Sequence, residues 1–250
     1  MKLFHTAAAL ALATAFAAPL GATDLAGMTD AERAAFGAEV RAYLMENPEV
    51  LMEAIAVLEQ RQQQAAVADD LALLQANADE ILNDPESWVG GNPEGDITVV
   101  EFMDYRCSYC RKAHDEVAEL ISSDGNIRFV VKEFPILGEQ SVLSSRFAIA
   151  VRQLAGDAAY KQAHDALMTL RGDTTKETLE RLAGELGLDA PAILARMDAP
   201  EVTAVIEANH ALAGRLQISG TPTFVIDETM VRGYVPLDGM RQIVEGQRKG

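Results

Sequence analysis

The sequence predicts an α/β fold in which a helical block interrupts the sheet-forming segments and a separate helical segment precedes them. Two runs, Ile97–Phe102 and Ile127–Glu133, are rich in β-favouring apolar residues and predict two strands with a helix between them. Residues 139–216 then show helical spacing, and Gly220–Ile226 returns to a turn followed by a strand. The predicted order is therefore β-α-β, a helical insertion, and β-β-α.

The amino terminus has the pattern of an export signal. Lys2 precedes an alanine–leucine core, and small residues follow at the candidate cleavage points after Ala17 and Ala22. The apolar run is too short and too rich in alanine for a stable membrane span. We expect a cleaved signal peptide over residues 1–22 and a protein exported to the periplasm.

Residues 23–85 are predicted to be helical. Thr29 and Glu32 form a capping box at the start, and Pro48 divides the segment into two helices. The second helix carries apolar residues at alternating steps of four and three, which is a heptad seam. Its members are Val67, Leu71, Leu74, Ala78 and Ile81.

This seam and the earlier apolar positions Leu51, Ile55 and Leu58 have no partner within their own helices. One interpretation is a helix that packs on the domain that follows. The other, which we favour, is self-association into a homo-oligomer, with a trimer favoured over a dimer.

Residues 86–250 are predicted to form the second domain. Gly90–Pro93 is expected to be a turn-rich link into the first strand, and Gly125 to end the helix that follows that strand. The two strands are expected to pair in parallel through a right-handed crossover. Met230–Gly233 and Pro236–Gln247 predict a short strand and a closing helix.

The two cysteines, Cys107 and Cys110, are the only ones in the chain and lie one helical turn apart. Unpaired backbone N–H groups at a helix start stabilise a thiolate on the first cysteine, and Arg106 and Arg111 add positive charge nearby. Such a thiolate attacks a disulfide, and the second cysteine resolves the mixed disulfide. The pattern therefore indicates a redox site.

Two other interpretations of the pair are a structural disulfide and a zinc site. A permanent structural disulfide across one turn at a helix start is unusual, and a zinc site needs four ligands where the chain offers one Cys pair. His114 lies four residues beyond Cys110, but we interpret it as an exposed helix residue and predict no metal site.

The formal charge of −17 argues against nucleic acid and anionic membranes as partners, because both require basic patches.

The order of elements, with Cys-x-x-Cys after the first strand and Thr-Pro before the third, resembles the thioredoxin-like fold. More narrowly, Asp96–Gly250 resembles the DsbA family of exported thiol–disulfide oxidoreductases, with its inserted helical subdomain. The segment Val40–Val50 resembles the Com1 and ScsC-like branch, whose members carry a helical amino-terminal extension through which some trimerise. Where that branch more often has a small polar residue and glycine, this chain has Arg106 and Ser108.

The resemblance implies catalytic roles for Cys107 as nucleophile and Cys110 as resolving thiol. It also implies a cis peptide bond between Thr221 and Pro222, facing the cysteines, where an extended substrate segment would pair with the backbone of Thr221. An ordinary trans turn proline is the alternative. Tyr109 and Thr221 resemble the residues of isomerase-type relatives. Thr221, Pro222 and Tyr109 are expected to contact substrate.

Glu101 matches an acidic position of the family, where a buried carboxylate with a raised pKa relays the proton of the resolving cysteine. An exposed strand edge is the alternative for Glu101, and Lys132 is a possible neighbour. Tyr105 and Phe134 are expected to line the surface around the site.

The expected activity is thiol–disulfide exchange in cysteine-containing exported proteins, leaning towards isomerisation or reduction, without a cofactor. One alternative is a dithiol oxidase; in either case a membrane redox partner, DsbB-like or DsbD-like, resets the cysteines. An alternative of another class is a copper-binding module that uses the thiol pair, since soft thiolates favour Cu(I).

Overall fold

The computed structural model describes residues 27–249 and contains a five-stranded mixed sheet with helices on both faces. The strands are β1 (Trp88–Gly91), β2 (Ile97–Met103), β3 (Ile127–Glu133), β4 (Thr223–Ile226) and β5 (Thr229–Arg232). The helices are α1 (Asp30–Glu46), α2 (Glu49–Ala76), α3 (Ala78–Leu82), α4 (Ser108–Asp124), α5 (Glu139–Thr169), α6 (Lys176–Glu185), α7 (Ala190–Arg196), α8 (Pro200–Arg215) and α9 (Leu237–Lys249). The predicted signal peptide, residues 1–22, lies outside the described residues.

The sheet order is β1-β3-β2-β4-β5, with β2 in the centre. β2 pairs in parallel with β3, placing Val99 opposite Phe129, and antiparallel with β4, placing Glu101 opposite Phe224. α4 makes the crossover between β2 and β3 and ends at Gly125, whose left-handed φ of 74° suits glycine. The predicted α/β fold with its helical insertion is confirmed. Among the helices at 27–249, none is long and apolar enough to cross a membrane.

Strand β1 was not predicted, because the pair Gly90-Gly91 was interpreted as a turn. The indole of Trp88 lies directly over Gly90, so that a Cβ at this position would overlap the ring. Trp88 itself is buried against Phe129 and Tyr160. A glycine is therefore required where the bulky side chain folds back over the edge strand.

The chain divides into two compact units, one up to Gln60 and one from Arg61 onward. In the first unit, α1 begins with the predicted Thr29–Glu32 capping box and buries none of its side chains. Most of its large apolar side chains and most of those in the first part of α2 are exposed by 40–70%. They include Phe36, Val40, Tyr43, Met45, Leu51, Met52, Ile55, Val57 and Leu58.

In the second unit, from Arg61 onward, the end of α2 and the short α3 pack on one face of the sheet. Leu74 and Ile81 are buried in a cluster with Phe102 and Phe134, whereas Val67 is 64% exposed. The favoured interpretation of the whole seam as a self-association surface is therefore wrong for Leu74 and Ile81, which follow the alternative of a helix packed on the domain that follows. The apolar residues do follow heptad spacing, but those in the last turns pack on the sheet.

Candidate active site

Cys107 and Cys110 lie at the start of α4, beyond the carboxyl end of β2. Cys107 is the N-cap residue with an extended backbone, and Cys110 follows one turn into the helix. Both are free thiols, and Cys107 is 7% exposed whereas Cys110 is fully buried. The more accessible sulfur thus belongs to the residue predicted to be the nucleophile.

The turn before β4 brings a distant segment against this pair. The peptide bond between Thr221 and Pro222 is cis, as the resemblance implied. When Cys107 is protonated, its thiol donates a hydrogen bond to the Thr221 carbonyl at 3.1 Å, although 114 residues separate the two. The structure therefore brings together four of the predicted site residues, Cys107, Cys110, Thr221 and Pro222.

The two thiols have very different acidities. The pKa of Cys107 is lowered to about 5, chiefly by a hydrogen bond from Cys110 to the Cys107 sulfur. Burial opposes this effect, whereas the Thr221 side chain and the backbone N–H groups of Cys110 and Tyr109 contribute to the lowering. The same hydrogen bond, together with burial and the charge of Glu101, raises the pKa of Cys110. At neutral pH Cys107 is therefore the thiolate and Cys110 holds its proton.

The arginines beside the pair bind the cysteine turn to the loop after α5. Arg106 donates to the Gly172 carbonyl at 2.7 Å, and Arg111 donates to the carbonyls of Tyr105 and Leu170 at 2.6 and 2.8 Å. Neither arginine is among the leading causes of the lowered Cys107 pKa. Stabilisation of the thiolate by their charge stays a prediction.

Asp104 holds the loop before the cysteines. Its buried carboxylate accepts the backbone N–H of Arg106 at 2.7 Å and those of Ile136 and Leu137 at 2.8 and 3.0 Å. One side chain thus fixes both the cysteine turn and the loop after β3, a role that the sequence pattern did not reveal.

Glu101 is buried in β2, so the exposed-edge alternative is wrong. Burial, and secondarily the charge of Cys107, raises the pKa of Glu101 to about 8. Its Oε1 has no hydrogen-bond partner, and the residue lines a cavity of about 500 Å³. The carboxyl group can therefore hold or release a proton near neutral pH.

Lys132 does not pair with Glu101. In the register of β2 and β3, Lys132 stands opposite Phe102, and its ammonium donates to Asp84 at 2.6 Å and to the Glu80 carbonyl at 2.8 Å. Alternation therefore places it on the opposite face of the sheet, where it holds the end of α3.

Tyr105 and Phe134, expected at the surface, are both buried. The hydroxyls of Tyr105 and Tyr160 donate to one oxygen of Glu133 at 2.7 and 2.6 Å, and Tyr105 also contacts His164 Nδ1 at 3.1 Å. This network links the cysteine loop to the helical insertion. No local pattern marks it, because its members come from three separate segments.

The surface beside Cys107 is aromatic. Tyr109 is 58% exposed and stacks on Tyr234, with 6.2 Å between ring centroids. The Lys112 ammonium lies 4.2 Å from the centre of the Tyr234 ring. Tyr109 is thus exposed beside the thiol pair, and Tyr234 is a further surface residue that the sequence did not indicate.

The arrangement can perform thiol–disulfide exchange, because an acidic, partly accessible thiol lies next to a protonated resolving thiol. Comparisons with known proteins agree with this chemistry. The model of the DSBA-like thioredoxin domain matches residues 98–245, and that of the copper resistance protein ScsC N-terminal domain matches residues 32–65.

Two solved structures resemble this chain over most of their own length. A thioredoxin-like oxidoreductase from Silicibacter pomeroyi DSS-3 is 45% identical, with a TM-score of 0.65, over 69% of this chain and 98% of that one. BcfH from Salmonella enterica Typhimurium is 30% identical, with a TM-score of 0.71, over 86% of this chain and 95% of that one.

Among curated relatives, the Na(+)/H(+) antiporter NhaA of Herminiimonas arsenicoxydans is 28% identical over 169 residues. The match covers 67% of this chain and 27% of the antiporter, so this chain spans about a quarter of that relative's length.

Proposed function

Because the chain belongs to the family of DSBA-like thioredoxin domains, in its ScsC-like branch of thiol–disulfide oxidoreductases, we propose that it exchanges disulfides in cysteine-containing exported proteins. The observation that carries this proposal is the contact of the Cys107 sulfur with the Thr221 carbonyl, beside the buried Cys110. When a substrate segment pairs with the backbone of Thr221, the substrate sulfur lies next to Cys107.

The proposed exchange proceeds in two steps. The Cys107 thiolate attacks a substrate disulfide, forming a mixed disulfide and releasing one substrate thiolate. Cys110 then gives up its proton and attacks the Cys107 sulfur, which closes the Cys107–Cys110 disulfide and releases the second substrate thiol. The substrate gains two electrons and the enzyme loses them. Oxidation of a substrate dithiol runs the same steps in reverse.

Glu101 is proposed to take the Cys110 proton in the second step. The charge of Glu101 contributes to the raised pKa of Cys110, which indicates that the two groups are neighbours. With its own pKa at about 8, Glu101 is a base of suitable strength near neutral pH.

Isomerisation is favoured over simple oxidation. In an isomerase, the released substrate thiolate attacks another substrate disulfide, and the thiolate displaced there attacks the substrate sulfur of the mixed disulfide. This forms a new substrate disulfide and releases the Cys107 thiolate without Cys110. Tyr109 and Thr221 support this direction, as does the exposed apolar surface of α1 and of the first part of α2, which suits a homo-oligomer with several sites around one client. We propose a trimer, exported to the periplasm, whose cysteines a membrane redox partner of the DsbB or DsbD kind resets.

Two cysteine variants test the exchange. Cys107→Ser is expected to abolish turnover of a disulfide substrate, because the remaining thiol, Cys110, is buried and holds its proton. Cys110→Ser is expected to accumulate mixed disulfides with substrate, visible on non-reducing gels and lost on adding reductant. Continued turnover by the Cys107 variant would overturn the mechanism.

Parallel assays with a scrambled disulfide substrate and with a reduced dithiol substrate distinguish isomerisation from oxidation. Recovery of the scrambled substrate in a thiol buffer supports isomerisation, whereas dithiol oxidation without such recovery supports the oxidase alternative. Thiol titration with and without Cu(I) tests the copper-module alternative. That alternative requires that bound Cu(I) protects the thiols from the titrating reagent and that the protein shows no catalytic turnover.

A further inference from the structure

A cluster of side chains outside the thiol pair has the composition of a metal site. His114 of α4 and His164 and Asp165 of α5 each direct one ligand atom to a common place, and these atoms lie within 4.8 Å of one another. The His114 Nε2 and Asp165 Oδ1 atoms are 3.2 Å apart. Ligands bound tetrahedrally to zinc at about 2.0–2.2 Å are themselves separated by roughly 3.3–3.6 Å, so this spacing is close to that of a bound ion.

The orientation of His164 is set by a second layer of groups. Tyr105 directs its hydroxyl proton to Glu133 at 2.7 Å, so the phenol oxygen accepts a hydrogen bond from His164 Nδ1–H at 3.1 Å. The lone pair of His164 is then on Nε2. Fixing one ring nitrogen as a donor so that the other can bind an ion is the usual environment of metal-binding histidines.

Neither imidazole is a freely exposed surface group. His164 is buried, and His114, which the sequence predicts to be exposed, is half-buried. A neutral imidazole is the form that binds a metal ion. The Asp165 side chain adds a carboxylate oxygen, which completes a set of two nitrogens and one oxygen.

The cluster borders the cavity of about 500 Å³ that Glu101 also lines, and His114, His164 and Lys161 form part of its wall. Three protein ligands beside a cavity leave a fourth position for water or a small molecule. Lys161 donates to both oxygens of Asp165, at 2.7 and 2.5 Å. Its ammonium therefore competes for the carboxylate that an ion requires.

We propose that His114, His164 and Asp165 bind one divalent transition-metal ion of the zinc class, in competition with the Lys161 ammonium. Two imidazoles and a carboxylate suit zinc, cobalt or nickel better than the hard cations Mg²⁺ and Ca²⁺, which prefer oxygen ligands. The site is separate from the cysteines, and it does not depend on the proposed exchange activity.

The test titrates Co²⁺ into the untagged full chain carrying Cys107→Ser and Cys110→Ser, which removes the thiols as ligands. Excess Mg²⁺ in every sample occupies the acidic surface. We expect one Co²⁺ per chain, with visible absorption bands that Zn²⁺ abolishes. His114→Gln and Asp165→Asn in this background are each expected to weaken binding at least about tenfold.

Two further variants make the test specific. Lys161→Met is expected to tighten binding at least about threefold, because a positive charge beside the ion is removed. His210→Gln, which changes a histidine on α8, is the matched control and is expected to leave the affinity unchanged. Equal Co²⁺ affinity in the His114, Asp165 and His210 variants, or no stoichiometric binding by folded protein, would overturn the proposal.

Discussion

Cys107 depends on Cys110 for its acidity more than on any other neighbour, because the hydrogen bond between them is the largest influence that lowers the Cys107 pKa. The second cysteine therefore acts in two stages of the reaction. It stabilises the attacking thiolate first and resolves the mixed disulfide afterwards.

This dependence distinguishes two substitutions of Cys110. We expect the Cys107 pKa to be near 5 in the parent, to rise by about one unit or more in Cys110→Ala, and to rise less in Cys110→Ser, whose hydroxyl can still donate. The pH dependence of thiolate ultraviolet absorbance measures all three. A Cys107 pKa that stays near 5 in both variants would mean that the helix start, not the Cys110 thiol, sets the acidity.

Glu101 gives the reduced protein a distinctive pH dependence. Its pKa is 4.5 without perturbation and about 8 in the folded protein, so the folded state binds an additional proton between these pH values. The contribution of Glu101 to the free energy of unfolding therefore falls as pH rises from 4.5 to 8 and is constant above pH 8.

Glu101→Gln removes this titration. We expect the variant to be more stable than the parent at pH 8, by on the order of a few kcal/mol, with the difference shrinking towards pH 4.5. Urea unfolding of the two reduced proteins across this range measures it. The same variant should release mixed disulfides at least about tenfold more slowly if Glu101 takes the Cys110 proton. A stability difference that does not change with pH would contradict the assignment of a raised pKa.

The elements differ in how far local sequence specifies them. The redox turn could be predicted because the strand, the cysteine spacing and the Thr-Pro pair are all short-range patterns. The contacts of Tyr105 could not, because Glu133 and His164 lie 28 and 59 residues away. Alternation assigns Lys132 to one of two faces, but it does not tell which helix covers that face.

Helix α2 shows the same limit within one element. The heptad spacing predicts an apolar stripe correctly but does not identify what covers it. Leu74 packs on the sheet in the unit that begins at Arg61, whereas Val67, two turns earlier, is exposed.

We expect Leu74→Ala to destabilise this unit by about 2–4 kcal/mol, because the smaller side chain leaves a cavity in the core. Val67→Ala is the matched control on the same helix and is expected to change stability by less than about 0.5 kcal/mol. Thermal unfolding of both variants provides the comparison. Equal losses of stability in the two variants would support the interpretation that the full seam lies between protein copies.

At the scale of the whole molecule, the division at Gln60 and Arg61 suggests where the proposed oligomer can be separated from the redox domain. A deletion reaching residue 85 would also remove Asp84 and leave the buried Lys132 ammonium without its acidic partner. The useful truncation therefore ends at residue 60.

We expect the full protein without its signal to be oligomeric and the variant lacking residues 23–60 to be monomeric. The truncated protein should keep dithiol oxidation, since the thiol site lies entirely in the remaining unit, and lose most isomerase activity. Light scattering and the two substrate assays measure these effects. A monomeric parent, or a truncated protein that still associates, would contradict the oligomer proposal.

Trp88 makes the second unit optically distinct, because it is the one tryptophan in the chain. Its indole stacks on Tyr160, donates to the Asp157 carbonyl at 3.1 Å and borders the cavity that His114 and His164 also line. Intrinsic fluorescence excited at the indole band therefore arises from a single position on the edge strand. Its emission should shift when this unit unfolds, and a paramagnetic ion entering the cavity should quench it, with no label attached to the protein.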